Sequence, residues 1–372
     1  MQRAYKVKLY PTDDLRTSFY RHAGYARVAY NWGLAYCKAQ YEETGKFPGW
    51  MTIKKAWNAA KYEEYPWSSE MCQRPAEEAI RNLGKAFDNF WRDRKKENGR
   101  KAKFPTFKKR GSRHSFRLYY PKVEHGRLYL PGLGWAKYRE PGYVPLDDAR
   151  YVSVTVSEQG GDWFAAVLVE LPDTTPTLAT GAPLGVDLGI KGLAALSDGR
   201  VFANPKTLAK HQKRLRRLQR KLARQQRGGA NREKTKRKIG REHAKIARIR
   251  TWHTHNASAA IVGRGQPDAE RPAAVVVEDL NVAGMMKNHS LAGAVADANM
   301  SEMRRQIEYK AEWGGTQMLV ADRYYPSTKT CSNCGCIRDE VALSERVFRC
   351  PDCGFELDRD VNAARNLARL AH

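Results

Sequence analysis

Two cysteine pairs, Cys331-x-x-Cys334 and Cys350-x-x-Cys353, constrain this chain more than any other feature of its sequence. Each C-x-x-C puts two thiolates on one tight knuckle, and the glycine after each pair, Gly335 and Gly354, lets the backbone turn beneath a metal. A hairpin between the pairs would close a tetrahedron around one structural zinc ion. Four thiolates leave no open position for a reacting water, so the zinc is expected to fold this segment and not to catalyse. The other cysteines, Cys37, Cys72 and Cys336, are too few and too scattered for a disulfide scaffold, which points to a reducing compartment. Cys336 reads as a spectator, because the zinc is already satisfied.

Charge narrows the partners. Lysine and arginine total 66 against 40 acidic residues, a formal net charge of +26. That excess suits a large polyanion. An anionic membrane surface is the other candidate, but no apolar run approaches a spanning helix and Met1–Thr12 lacks the apolar core of a signal peptide, so a soluble, cytoplasmic, nucleoid-associated protein is expected. At 372 residues with 42% hydrophobic content, two to four folded units are expected.

The texture of the chain divides it. A short strand from Val7 to Tyr10 ends at Pro11; apolar residues then recur every three or four positions from Leu15 through Phe19, Ala23, Ala26, Tyr30 and Leu34 to Cys37, predicting a helix. A second stripe at Ile80, Leu83, Phe87 and Phe90 trails into the basic run 92–103, so residues 12–104 read as a helical unit. Beyond Pro105 the alternation of Val152, Val154 and Val156 and the run 163–169 predict a β-rich unit, a small barrel, ending in the linker-like stretch 172–183. Two adjacent short strands, 184–188 and 192–196, follow, with a possible third at 201–203. From Lys206 to Arg250 nearly every polar position is basic, and leucine and isoleucine stripes flank Gly228-Gly229, the turn of a helical hairpin. So one-sided a stretch repels itself unless phosphate neutralises it, so Lys213, Arg214, Arg217, Arg220, Lys221, Arg224, Lys236 and Arg237 are expected nucleic-acid contacts. His253 and His255 read as a helix end packed on the sheet, not as ligands.

Three carboxylates carry the chemistry. Asp187 lies inside an apolar strand, Glu278 ends the run Val275-Val-Val-Glu, and Asp360 opens the last helix, with Asp358 as its rival. Any one alone reads as a turn or a helix cap. Their order is more telling: strand Asp, hairpin partner, long helical excursion, strand Glu and late helix Asp is expected when three acids meet over one face of a mixed sheet. Converging carboxylates repel unless divalent cations sit between them, and hard oxygens suit Mg or Mn. Two such ions about 4 Å apart hydrolyse phosphodiesters.

Gly-Val-Asp-Leu-Gly at 185 to 189, Val-Val-Glu-Asp-Leu at 276 to 280 and Asp-Arg-Asp-Val-Asn-Ala-Ala at 358 to 364 resemble the RuvC motifs of TnpB proteins, transposon-encoded relatives of miniature type V CRISPR nucleases. The opening Tyr5-Lys-Val-Lys-Leu-Tyr-Pro11, Tyr30-Asn-Trp32, Phe104-Pro-Thr-Phe-Lys108 and Tyr325-Pro-Ser-Thr-Lys-Thr-Cys-Ser-Asn-Cys-Gly335 extend the resemblance over most of the chain. It implies a multidomain α+β protein. A β-barrel wedge domain (1–11 and 105–178) would be interrupted by a helical recognition domain (12–104). An RNase H-like RuvC domain (179–325 and 358–372) would carry a zinc-ribbon insertion (326–357). It further implies an RNA-guided, Mg-dependent DNA endonuclease with Asp187, Glu278 and Asp360 as the triad holding two magnesium ions. Asp360 is preferred to Asp358 because it stands two residues before Asn362. The implied partners are a non-coding guide RNA and double-stranded target DNA bearing a short flanking motif, which protein contacts read while base pairing reads the rest. A monomer is the default expectation. The competing readings are a catalytically silent RNA-guided DNA-binding regulator, whose triad should be damaged, and a generic zinc-ribbon binder or transposase accessory.

Overall fold

The computed structural model describes residues 1–95, 102–111, 114–173, 175–342 and 345–371, in two compact units divided at Thr174/Thr175. In the first, β1 (Gln2–Tyr10) leads to α1 (Asp13–Thr44), α2 (Trp50–Glu64) and α3 (Gln73–Arg94). Six strands follow: β2 (Ser115–Tyr119), β3 (Lys122–Glu124), β4 (Arg127–Leu130), β5 (Gly134–Tyr138), β6 (Arg150–Gln159) and β7 (Asp162–Glu170). Thr12 caps α1 by accepting the Leu15 N–H, and Asp13 and Asp14 place negative charge at the positive end of the helix dipole. The seven strands form one antiparallel sheet in the order β2-β6-β7-β1-β5-β4-β3, so the first strand of the chain sits in its centre. Val7, Phe19, Leu34, Trp57, Ile80, Leu118 and Val167 belong to one continuous core shared by sheet and helices.

The second unit is a mixed sheet with helices on both faces. Its strands are β8 (Leu184–Asp187), β9 (Gly192–Leu196), β10 (Val201–Ala203), β11 (Ala274–Glu278) and β12 (Gln317–Ala321), in the order β10-β9-β8-β11-β12. The first three meander antiparallel; β8, β11 and β12 run parallel. Between β10 and β11 come α4 (Thr207–Ala223) and α5 (Ala230–Ile261), and between β11 and β12 come α6 (Val282–Met285), α7 (Ala292–Ala298) and α8 (Met300–Gly314). A small hairpin, β13 (Val347–Arg349) and β14 (Glu356–Asp358), precedes α9 (Arg359–Ala368). Strand alternation assigns the faces. Val275 and Val277 pack with Ala257 and Ile261 of α5 and Met303 and Ile307 of α8, whereas Val276 between them packs with Leu367 of α9. A separate small core holds Cys331, Phe348 and Cys350.

The strand read at 7–10 starts five residues earlier, and the hairpin about Gly228-Gly229 is present as α4 and α5. Part of the basic run, residues 96–101, and Thr174 of the linker-like stretch lie outside the described residues. Helix α2 was not read from the sequence: it buries only Ile53, Trp57 and Lys61, a stripe one residue wide. Among the described residues no helix is long and apolar enough to cross a membrane.

Candidate active site and metal centre

Parallel pairing brings the first two acids together. Val186 lies opposite Val277, so Asp187 and Glu278, each the last residue of its strand, emerge side by side at the same sheet edge. Helix α9 packs on β8 and brings Asp360 in its first turn to the same place. It can lie that close because Gly185 has no side chain: a Cβ there would stand 1.9 Å from the Ala364 carbonyl oxygen and 2.6 Å from the Ala368 nitrogen. Glycine at the start of the first motif is thus the contact surface for the helix that carries the third acid.

The rivalry between Asp358 and Asp360 has a geometric side. Asp358 Oδ1 accepts the backbone N–H groups of Asp360 (3.0 Å) and Val361 (3.2 Å), so this exposed carboxylate is engaged as the N-cap of α9. Asp360, partly buried, has the Arg359 guanidinium at 3.4 Å as its one salt-bridge partner among the described residues. The electrostatics record the convergence. The carboxyl of Asp187 is pushed up to about 8, first by burial and then by the charges of Glu278 and Asp360; Arg359 opposes the shift and Asp358 adds to it. Hard oxygen donors that are partly desolvated and repel one another are a donor set that divalent cations such as magnesium fit, since a cation would offset both the burial and the repulsion.

The surroundings of Glu278 were not legible in the sequence. The buried Ser327 hydroxyl donates a hydrogen bond to Glu278 Oε1. The next residue, Asp279, is held by Arg304 (2.9 Å) and by Arg323, and both guanidinium groups keep its carboxyl below the usual range. These two arginines, Glu278, Leu188, Asn281 and Ser301 border a cleft of about 330 Å³. The available signal was the polar pair Asn362 and Asn366, both wholly buried on α9 and both bonded to the segment that carries Ser327. Asparagine four residues apart on a buried face calls for a partner backbone.

The cysteines meet the zinc expectation in their geometry. The four Sγ atoms lie within 4.8 Å of one another, the one such cluster of potential ligands among the described residues, with 3.8 Å between Cys331 and Cys353 and 3.5 Å between Cys334 and Cys350. A tetrahedron with Zn–S bonds of about 2.3 Å has edges of about 3.8 Å, so the set fits that ion. Gly335 and Gly354 have positive φ, 83° and 69°, and donate N–H to the carbonyls of Cys331 and Cys350. Cys336 stands outside the four, and hydrogen bonding to Asp352 pushes its thiol up to about 11.

The basic hairpin presents a groove of about 800 Å³ along α4, lined by the six expected contacts Lys213, Arg214, Arg217, Arg220, Lys221 and Arg224. Lys236 and Arg237 lie on α5, where Lys236 pairs with Glu233. The other acid of the segment, Glu242, is buried between His211 (2.6 Å) and Arg214 (3.1 Å) and ties α5 to α4. Arg250 is likewise engaged, on the buried Asp297 (3.2 Å), and Arg232 donates to the Gln225 carbonyl (3.0 Å), whereas Lys213, Arg214, Arg217, Arg220, Lys221, Lys236 and Arg237 are exposed. His253 and His255 lie inside α5 and join no cluster of potential ligands among the described residues.

Comparison with known proteins gives a consistent picture. Residues 166–289 match the "Probable transposase" model OrfB_IS605, residues 301–367 the Cas12f1-like TNB domain, and residues 1–46 a helix-turn-helix model, although here they form one strand and one helix. A Streptomyces pristinaespiralis protein named as an RNA-guided DNA endonuclease is 36% identical, covering 99% of this chain and 89% of that one. Escherichia coli InsQ, named likewise, is 34% identical over 100% and 92%. A cryo-EM structure of a Cas12f1-sgRNA-target DNA complex shares the fold with a TM-score of 0.57 at 13% identity, covering 99% of this chain and 98% of that one.

Proposed function

The chain belongs to the TnpB family, and from that membership we propose that it is an RNA-guided DNA endonuclease that hydrolyses target phosphodiester bonds at the acidic sheet edge. The observation that carries the reading is the convergence of Asp187, Glu278 and Asp360, from two parallel strands and one helix, on one sheet edge, where burial and then the charges of Glu278 and Asp360 push the Asp187 carboxyl up to about 8. In this reading Asp187, Glu278 and Asp360 would hold two magnesium ions. Such ions, when bound, supply an activated water and stabilise the leaving oxygen, with no covalent enzyme intermediate. The protein's part is positional. Parallel register fixes the spacing of Asp187 and Glu278, Asp358 caps the helix that presents Asp360, and the cleft with Arg304 and Arg323 would receive the target strand beside Glu278.

The remaining parts follow the family plan. The antiparallel sheet of the first unit would serve as the wedge domain and its helices as the recognition domain; the mixed sheet would be the RuvC domain and the four-cysteine segment a zinc ribbon that loads target DNA. Guide RNA and its heteroduplex would lie along the α4 groove, where cationic side chains neutralise phosphate without reading sequence. Protein contacts would read a short motif beside the target. Its place of action would be the bacterial cytoplasm, at the nucleoid.

Purification with the adjacent transposon end, sequencing of bound RNA and incubation with a guide-matched DNA library plus Mg test the reading: cleavage next to one fixed motif is expected. Asp187→Ala should abolish cutting while RNA and target binding stay near the parent's. A variant that loses RNA binding as well, or that still cuts, would sink the assignment of Asp187.

A further inference from the structure

From Tyr325 onward, the segment between β12 and the first zinc knuckle is hydrogen-bonded to α9 and the residue after it. Tyr325 Oη donates to the Asn366 carbonyl (3.2 Å), and Asn366 Nδ2 donates to the carbonyls of Ser327 (2.8 Å) and Thr330 (2.6 Å). Asn362 Nδ2 also donates to the Thr330 carbonyl (2.8 Å), and its Oδ1 accepts the Ser332 N–H (2.9 Å). Arg369 closes the series on the Ser332 carbonyl (2.6 Å). Both asparagines are wholly buried, so these bonds are shielded from water and hard to replace. Ser327, itself 2% exposed, projects from this fixed segment onto Glu278 Oε1, and Cys331, a zinc ligand of the proposed ribbon, lies four residues further on.

A buried serine can satisfy its hydroxyl on any nearby carbonyl. This one donates to a carboxylate that ends a strand at the acid site, and it does so from backbone that is cross-braced to the helix bearing Asp360. A hydroxyl fixed on one oxygen sets the rotation of the carboxyl plane and leaves Oε2 free to face the other acids. Hydrogen-bonded partners of metal-ligating carboxylates orient the ligand in this way. Resting on the acid-site reading above, the geometry points to Ser327 as a positioning residue for Glu278: it holds the carboxylate in the orientation that binds the divalent cation, and the stem of the cysteine ribbon holds Ser327. The hydroxyl moves no proton and touches no substrate.

The test uses the full chain with Ser327→Ala, Ser327→Thr and Asp187→Ala. Manganese affinity of the RNA-free proteins is read by electron paramagnetic resonance of the free ion, with the binding lost in Asp187→Ala defining the site. The RNA-loaded proteins then give the Mg concentration for half-maximal single-turnover cleavage, together with target binding in Mg-free buffer and the melting temperature. Ser327→Ala is expected to weaken manganese at that site by about 10- to 100-fold and to raise the half-saturating Mg by a similar factor, with target binding and melting unchanged. Ser327→Thr, which keeps the hydroxyl, should restore both. Parental metal affinity in Ser327→Ala overturns the proposal, as does a loss of cutting that merely tracks a lower melting temperature. If Asp187→Ala binds manganese and cuts like the parent, the acid-site reading itself fails and the role of Ser327 fails with it.

Discussion

Replacing Gly185 with alanine is expected to damage both stability and cutting, because one methyl group would drive β8 and α9 apart. The added Cβ would sit 1.9 Å from the Ala364 carbonyl oxygen, where ordinary contact begins at 3.4 Å, a shortfall of about 1.5 Å. Both colliding groups are backbone, so no rotamer change relieves the clash. Overpacking of this kind costs about 1–3 kcal/mol, and the loss of unfolded-state freedom returns only about 0.4–1 kcal/mol. A net loss of about 1–2 kcal/mol corresponds to a melting shift of roughly 2–8 °C for a unit of this size. The displacement also separates Asp187 on β8 from Asp360 on α9, and a misplacement of about 1 Å costs on the order of 100-fold in rate. Differential scanning calorimetry and single-turnover cleavage of a guide-matched duplex read the two effects. Gly240→Ala is the control: it lies exposed in α5 with nothing within 4 Å of its Cβ, and it should be neutral or stabilising by up to about 1 kcal/mol. A Gly185→Ala protein with the parent's melting temperature and rate would refute the claim that this glycine is the seat of the helix.

Two more predictions concern the second unit. Cys350→Ser, which removes a buried thiolate of the ribbon, should abolish zinc retention measured by a colorimetric chelator after dialysis, and should lower soluble yield and target loading; a fully stable, fully active variant would refute the structural zinc. Lys310 is buried, with Nζ on Ser258 Oγ (2.6 Å) and the His255 carbonyl (2.8 Å), and burial, then the charge of Arg264, push its ammonium down to about 8. Since the unfolded chain then binds more protons than the folded one between pH 8 and 10.5, this group makes stability rise with pH across that window. Lys310→Met should flatten the rise in melting temperature from pH 8 to 10 relative to the parent, and an identical pH profile would show that Lys310 is not desolvated as described.

What was legible in the sequence was what is written in adjacent residues. A four-thiolate cluster that fits zinc is a matter of two knuckles and a hairpin, so the spacing of Cys331, Cys334, Cys350 and Cys353 was enough to predict it. The strands ending in Asp187 and Glu278 are apolar enough to announce burial on both faces, as parallel strands require. Less legible was everything that depends on which residue meets which across the fold. Gly185 reads as one glycine in a motif until α9 lies on it. Asp358 and Asp360 are two residues apart with the same chemistry; the resemblance favoured Asp360, and the fold adds that Asp358 is engaged in capping α9. The basic helices were visible as composition, but their buried Glu242, which locks α4 to α5, was not.

The cysteine segment shows why such contacts matter to the mechanism. In sequence it reads as an insertion placed just before the last helix, separable from the acids on either side. Its two ends are not separable in space. The incoming stem delivers Ser327 to Glu278, and the outgoing strand β14 ends on Asp358, the cap that launches Asp360. Asn362 and Asn366 then tie the stem to the helix, so two of the three acids are oriented by the borders of the segment. Zinc held by the four cysteines would therefore act on the acids through Ser327 and Asp358, without itself entering the acidic sheet edge.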